Sequence, residues 1–221
     1  MHLRTRARAH LCTCAPAHHA PAHPRTAHLA PAHRAPRIRA PRTSHPRTAH
    51  LALWYRALMS HELFMRAAIQ QAERGRAAGE VPIGAVLVIG ERIVSRAFNQ
   101  PIRALDPTAH AEVVVLRDAA KAIGNYRLTD ATVYVTLEPC LMCVGALVHA
   151  RVREVVYGAA EPKSGALVST IHALESPCVN HRFAVTAGVL EDDCRRIIAD
   201  FFRERRRSSS SVLADAEIGE L

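Results

Sequence analysis

The sequence predicts an α/β fold, a mixed or mostly parallel sheet covered by helices on both faces. Two observations predict it. Helical and strand-like segments follow one another from residue 62 in the order α-β-β-α-β-α-β, with a later β-α pair. The central strand segments, Gly84–Ile89 (G-A-V-L-V-I) and Ala131–Leu137 (A-T-V-Y-V-T-L), are short apolar runs of the kind found in buried strands.

Each element has its own warrant. Leu63, Phe64, Ala67, Ala68, Ile69 and Ala72 recur at helical spacing, and Gly75 and Gly79 loosen the end of that helix. Gly90-Glu91 turns the strand Gly84–Ile89 into a second one, Arg92–Phe98. A long loop through Pro101 and Pro107 leads to a helix over 110–123. The strand Ala131–Leu137 precedes a helix over 140–150, and 152–157 forms a fourth strand. A fifth strand is expected over 183–189. The helix over 191–206 carries Glu191, Asp192 and Asp193 at its positive end and arginines at its negative end.

Composition separates this domain from what precedes it. Residues 1–61 hold 10 Arg, 10 of the 14 His and no Asp or Glu. Without those arginines, 19 basic residues face 20 acidic ones over 62–221, a net charge of −1 against +9 for the whole chain. A nucleic-acid partner must therefore be recognised by local patches. Residues 1–58 read as a disordered, low-complexity leader of Ala, His, Pro, Arg and Thr. A start codon placed too early, with Met59 the expected initiator, competes there with a transit peptide and a basic His-rich tail. The expected domain spans 60–207, followed by a flexible tail over 208–221. An interrupted N-terminus argues against a secretory signal, and no 18-residue apolar run marks a membrane span. A cytoplasmic protein with reduced cysteines is expected.

The chemistry concentrates in His110-Ala111-Glu112 and Pro139-Cys140-Leu141-Met142-Cys143. Cysteines three apart at a helix start share one side, and a helix N-terminus stabilises thiolates. Two thiolates and one neutral imidazole balance the charge of one zinc ion. With His110, Cys140 and Cys143 as ligands, a tetrahedral metal keeps a fourth position for water, the catalytic arrangement. Glu112 is expected beside that water as proton shuttle. A structural zinc site is the rival, and it requires a fourth ligand from Cys178, Cys194 or His181. Cys194, spaced with Ile197, Ile198 and Phe201, reads as core.

H-x-E followed by P-C-x-x-C resembles the zinc nucleobase deaminase signature. The stretches over 99–112 (N-Q-P-I-R-A-L-D-P-T-A-H-A-E) and 125–146 (N-Y-R-L-T-D-A-T-V-Y-V-T-L-E-P-C-L-M-C-V-G-A) resemble the bacterial tRNA-specific adenosine deaminases of the cytidine/deoxycytidylate deaminase superfamily. The resemblance runs from about residue 60 to 207. It implies a three-layer α/β/α cytidine-deaminase-like fold with a central five-stranded mixed sheet, and hydrolytic conversion of the wobble adenosine of a tRNA, an arginine tRNA, to inosine. It also implies a homodimer, one zinc per chain and an anticodon stem-loop as partner. By the same resemblance Asn99 and the backbone at Ala111 hold the base, and Arg203, Arg205 and Arg206 meet phosphates. The arginines have a plainer reading, as solvated complements of the helix dipole. At Glu161, in the loop after the fourth strand, the family often carries Asp. Two rival functions remain. One is a deaminase acting on free cytosine, guanine or dCMP; the other is a non-catalytic RNA-binding subunit with a structural zinc.

Overall fold

A computed structural model describes the backbone over residues 46–218 and side chains over 60–207. The described residues lie in one compact unit, Ser44–Leu221. The elements are α1 (Pro46–Ala77), β1 (Gly84–Ile89), β2 (Arg92–Phe98), α2 (Pro101–Ala104) and α3 (Ala111–Ile123). They continue with β3 (Ala131–Leu137), α4 (Leu141–Ala150), β4 (Glu154–Ala159), a 3₁₀ turn at Ala173–Glu175, β5 (Ala184–Thr186) and α5 (Glu191–Ile218). The sheet has five strands in the order β2-β1-β3-β4-β5. β1 is antiparallel to β2 and β3, whereas β3, β4 and β5 run parallel, so the sheet is mixed as expected.

The two-residue period of the strands sorts side chains into two cores. Ala85, Leu87, Val133, Val135, Val155 and Tyr157 meet Val115 and Ala119 of α3 and Val144, Leu147 and Val148 of α4. Val86, Val88, Tyr134 and Val156 project the other way, onto Phe64, Met65 and Ala68 of α1 and Cys194 of α5. This is the three-layer arrangement. Full burial of Leu87, Leu147 or Val133 contributes roughly 1.5–3 kcal/mol each. Cys194, at 0% exposure, is the core residue that its helical spacing predicts.

Five segments differ from the sequence expectation. The fourth strand begins at Glu154, not at 152, because Arg151 takes a left-handed conformation (φ 60°) that closes α4. Val152 completes that closure, its N–H reaching the Leu147 carbonyl, and is buried there, outside the ladder. The fifth strand shortens to an edge of three residues. The loop through Pro101 gains the short helix α2. α1 begins at Pro46 and α5 runs to Ile218, so backbone assigned to the leader and tail is helical where described. The expected leader otherwise lies outside the described residues. Among the described residues, no helix is long and apolar enough to cross a membrane.

α1 lies directly on the start of β1, and Gly84 permits it. A Cβ there would stand 2.1 Å from the Ala68 carbonyl oxygen and 2.3 Å from the Ala72 nitrogen, both backbone atoms of α1. Because backbone cannot yield as a flexible side chain does, Gly84→Ala is expected to destabilise the fold by at least about 1–3 kcal/mol. A lower urea midpoint at unchanged slope is the expected reading.

Candidate metal centre and active site

Two helix starts meet at one end of the sheet. His110 is the N-cap of α3 and Cys140 the N-cap of α4, both with extended backbone, and Cys143 lies within the first turn of α4. Neither side chain makes a capping hydrogen bond, and imidazole and thiol meet each other instead. Cys140 Sγ stands 3.6 Å from His110 Nδ1, Cys143 Sγ stands 3.5 Å from the same nitrogen, and the sulfurs are 3.7 Å apart. A tetrahedral zinc with ordinary Zn–S and Zn–N bonds requires about 3.8 Å between sulfurs and about 3.5 Å from sulfur to nitrogen. The triangle fits, and Nδ1 is the nitrogen that faces its centre. These three residues form a group that could hold a metal ion.

Electrostatics agree with a cation site. The hydrogen bond from Cys143, followed by that of His110, pulls the Cys140 thiol down to about 4. The Cys143 thiol is pushed far up, first because it donates to Cys140 and then because it is buried. The pocket thus holds one negative sulfur readily and resists a second until a divalent cation sits between them.

Among the described residues, no fourth His, Cys, Asp or Glu joins this group. Cys178 is exposed and pairs with the Ser176 hydroxyl at 3.0 Å, His181 Nε2 meets the Val152 carbonyl at 2.8 Å, and Cys194 is buried on the opposite face of the sheet. Glu112 is outside the ligand group and only 4% exposed. Burial pushes its carboxyl above the usual range. Asn99 is buried, and its Oδ1 is the one buried side-chain polar atom among the described residues without a hydrogen-bond partner. An orphaned buried acceptor is costly unless something else supplies the donor. Ala111, fully buried, opens α3 with its N–H uncapped by any side chain.

The arginines are a mixed result. Arg203 pairs with Asp200 at 2.9 Å. Arg205 donates to the Gly79 carbonyl at 2.9 Å and lies over the Phe201 ring. With Arg76 joined to Glu204, these contacts dock α5 on the end of α1. Arg206 is exposed.

Sequence reasoning passed over Glu138, which stands between β3 and Pro139. Its carboxylate, 3% exposed, accepts from the backbone N–H of Glu161, Leu167, Val168 and Ser169 and from the Ser169 hydroxyl. Gly165 makes room for it, since a Cβ there would lie 2.4 Å from Glu138 Oε2. The gathered loop bridges Gly165 to Cys140, and Ala166 N–H donates to the Pro139 carbonyl at 2.9 Å. Glu138 thereby fixes the backbone that presents Cys140. The available signal was an acid terminating an otherwise apolar strand.

This three-layer sheet with its His/Cys/Cys group is the cytidine-deaminase-like fold. The chain belongs to the MafB19-like deaminase family, whose profile matches residues 59–206. It is 47% identical over 146 residues to the tRNA-specific adenosine deaminase of Haemophilus influenzae, covering 66% of this chain and 84% of that one. It is 46% identical over 151 residues to the enzyme of the same description from Bacillus subtilis, covering 68% and 94%. Among solved structures, one from a study of A-to-I editing by tRNA:A34 deaminases superimposes with TM-score 0.60 at 42% identity, covering 61% of this chain and 97% of that one. Guanine deaminase of Nitrosomonas europaea shares the fold at 19% identity, with TM-score 0.52 over 63% of this chain and 83% of that one.

Two outcomes follow from this geometry. His110→Ala and Cys140→Ala each lose the metal, measured by elemental analysis of the purified protein; a full equivalent retained in either would contradict the ligand set. Glu138→Gln destabilises the domain by about 3 kcal/mol or more, since several buried N–H groups lose a charged acceptor. Burial raises the Glu138 carboxyl, but the bonds from Ser169, Val168 and Glu161 outweigh it and hold the group below its ordinary value. A depressed carboxyl contributes its stability above the unfolded value, roughly pH 4.3, and loses it as pH falls through the lower folded value. The stability gap between wild type and variant is therefore constant near neutrality and shrinks below about pH 4.3.

Proposed function

We propose that this chain is a zinc-dependent hydrolase that converts the wobble adenosine, position 34 of a tRNA anticodon, to inosine, with an arginine tRNA as its substrate. The observation that carries the reading is the convergence of His110, Cys140 and Cys143 in zinc-sized geometry beside Glu112, an acid that is buried and is not a ligand. Two relatives described as tRNA-specific adenosine deaminases, each more than 40% identical, supply the substrate class.

His110 Nδ1 and the sulfurs of Cys140 and Cys143 hold the zinc. When bound, the ion polarises a water and lowers its pKa toward about 7. Glu112 would move protons at a carboxylate oxygen, taking one from the attacking water and giving it to the ring nitrogen beside carbon 6. As the water oxygen bonds to carbon 6, the same carboxylate would carry the water's second proton to the exocyclic amine, whose bond to carbon 6 breaks, so adenosine and water give inosine and ammonia. A carboxyl raised by burial suits a group that must be base and acid in turn. Asn99 Oδ1 and the Ala111 N–H hold the flipped base, and the orphaned state of Oδ1 supports this role. Arg203, Arg205 and Arg206, all exposed, are the set that meets phosphates of the anticodon stem-loop.

The reading includes a cytoplasmic homodimer. Leu141 and Ile171 are 60% and 54% exposed and line an apolar groove of about 430 Å³ along α4 with Val144, Val148 and Val179. Exposed apolar surface of this kind fits a second copy.

The reaction is tested by sequencing arginine tRNA before and after incubation with the purified protein. Competition between an anticodon stem-loop and free nucleosides or bases separates this substrate from small ones; equal or better turnover of the small molecule would defeat the tRNA assignment. Glu112→Ala is expected to keep its zinc and lose roughly 10²–10⁴-fold or more in inosine formation. Unchanged turnover in that variant would refute the proton-shuttle role, and no inosine from zinc-loaded wild type would favour a non-catalytic subunit.

A further inference from the structure

The chemistry above leaves one fully buried carboxylate unused. Glu80 is 1% exposed in the connection between α1 and β1. Its own N–H donates to the Gly75 carbonyl at 3.0 Å, which anchors its backbone on α1. Its Oε1 accepts from the Arg103 N–H at 2.7 Å and its Oε2 from the Ile102 N–H at 3.4 Å. Both donors belong to α2, the turn that starts two residues after Asn99.

That segment is built in an unusual way. The side chains of Ile102, Arg103, Ala104 and Leu105 are all exposed, so apolar packing does not hold them down. Its base is tied by Asn99 N–H to the Ile83 carbonyl and by Gln100 N–H to the Ala109 carbonyl, both at 2.9 Å. Arg117 holds its second half through Asp106 at 3.1 Å. The first half, next to Asn99, is held inward by Glu80. A buried carboxylate satisfied by backbone donors is a costly way to secure a surface turn, and charge-assisted bonds give it stiffness that an apolar plug lacks.

We propose that Glu80 is a positioning residue for base recognition, its carboxylate fixing the turn at Ile102 and Arg103 and thereby the direction of the Asn99 side chain. This rests on the reading of Asn99 as a base-holding group. Glu80 touches neither the substrate nor the metal; it acts through the backbone that follows Asn99. A displacement of about 1 Å in a positioning group costs on the order of 10²-fold in rate, so the link is open to measurement.

The test compares zinc-loaded wild type, Glu80→Gln, Glu80→Ala, Asn99→Ala and the Glu80→Ala/Asn99→Ala double variant on an anticodon stem-loop. Glu80→Ala is expected to lower kcat/KM by roughly 10- to 100-fold, with a full equivalent of zinc retained and faster amide hydrogen exchange at Ile102 and Arg103. Glu80→Gln falls between wild type and Glu80→Ala, because its remaining oxygen still accepts from Arg103. The double variant loses no more than Asn99→Ala alone, since both changes remove one function. Losses that multiply in the double variant, zinc lost in parallel with activity, or unchanged exchange at the two amides would each overturn the proposal. If Glu80→Ala does not fold, Glu80→Gln carries the same comparison. A fully active Glu80→Ala beside an impaired Asn99→Ala sinks this inference alone, whereas a fully active Asn99→Ala sinks the base-holding reading with it.

Discussion

Two sulfurs and an imidazole nitrogen held within 3.7 Å of one another dominate this fold. Such a cluster is unstable as an apolar core and awkward as a pair of thiolates; it is satisfied by a divalent cation. To build it, the chain must start two helices at the same end of one sheet. β3 delivers the chain to Pro139-Cys140, and the loop before α3 delivers His110. The parallel pairing of β3 with β4 requires α4 as its crossover, which places the start of α4 at the carboxyl end of β3. The metal geometry is therefore a consequence of sheet topology as much as of the residues.

Around that cluster the buried polar groups divide by how they are satisfied. Glu138 draws in the 161–169 loop through backbone donors, and Glu80 draws in the turn after Asn99. Both acids are consumed by the chain itself. Glu112 and Asn99 differ: burial raises the carboxyl of the first, and the amide oxygen of the second has no donor. A group left short of a partner in the interior, as Asn99 Oδ1 is, is where an external ligand gains most, because its hydrogen bond replaces none within the protein. The stiff acids build the walls around it.

The charge distribution follows a related logic. The chain's basic excess lies over 1–61, nearly all outside the residues whose side chains are described, and the domain itself is close to neutral. On α5, Arg203 and Arg205 are engaged within the protein, the latter tying the helix to the Gly79 carbonyl. Arginines that cluster in sequence at the end of this helix thus include members that pair within the protein. The helix they share turns successive residues by 100° or so, and only some of them can face one partner.

The sequence alone determined the α/β class and the bounds of the first three strands, and it singled out His110, Cys140, Cys143 and Glu112 as candidates. Those features depend on local pattern: period-2 runs, helix starts, and a spacing that places Cys140 and Cys143 on one side of a turn. The tertiary structure decided what depends on non-local closure. It turned Val152 from strand to helix closure behind the left-handed Arg151, and it engaged Cys178, Cys194 and His181 away from His110, Cys140 and Cys143. It also gave Glu80 and Glu138 their partners, which lie more than 20 residues away along the chain. A hydrogen bond between segments so far apart leaves no periodic trace in either one, so only the folded backbone could disclose it.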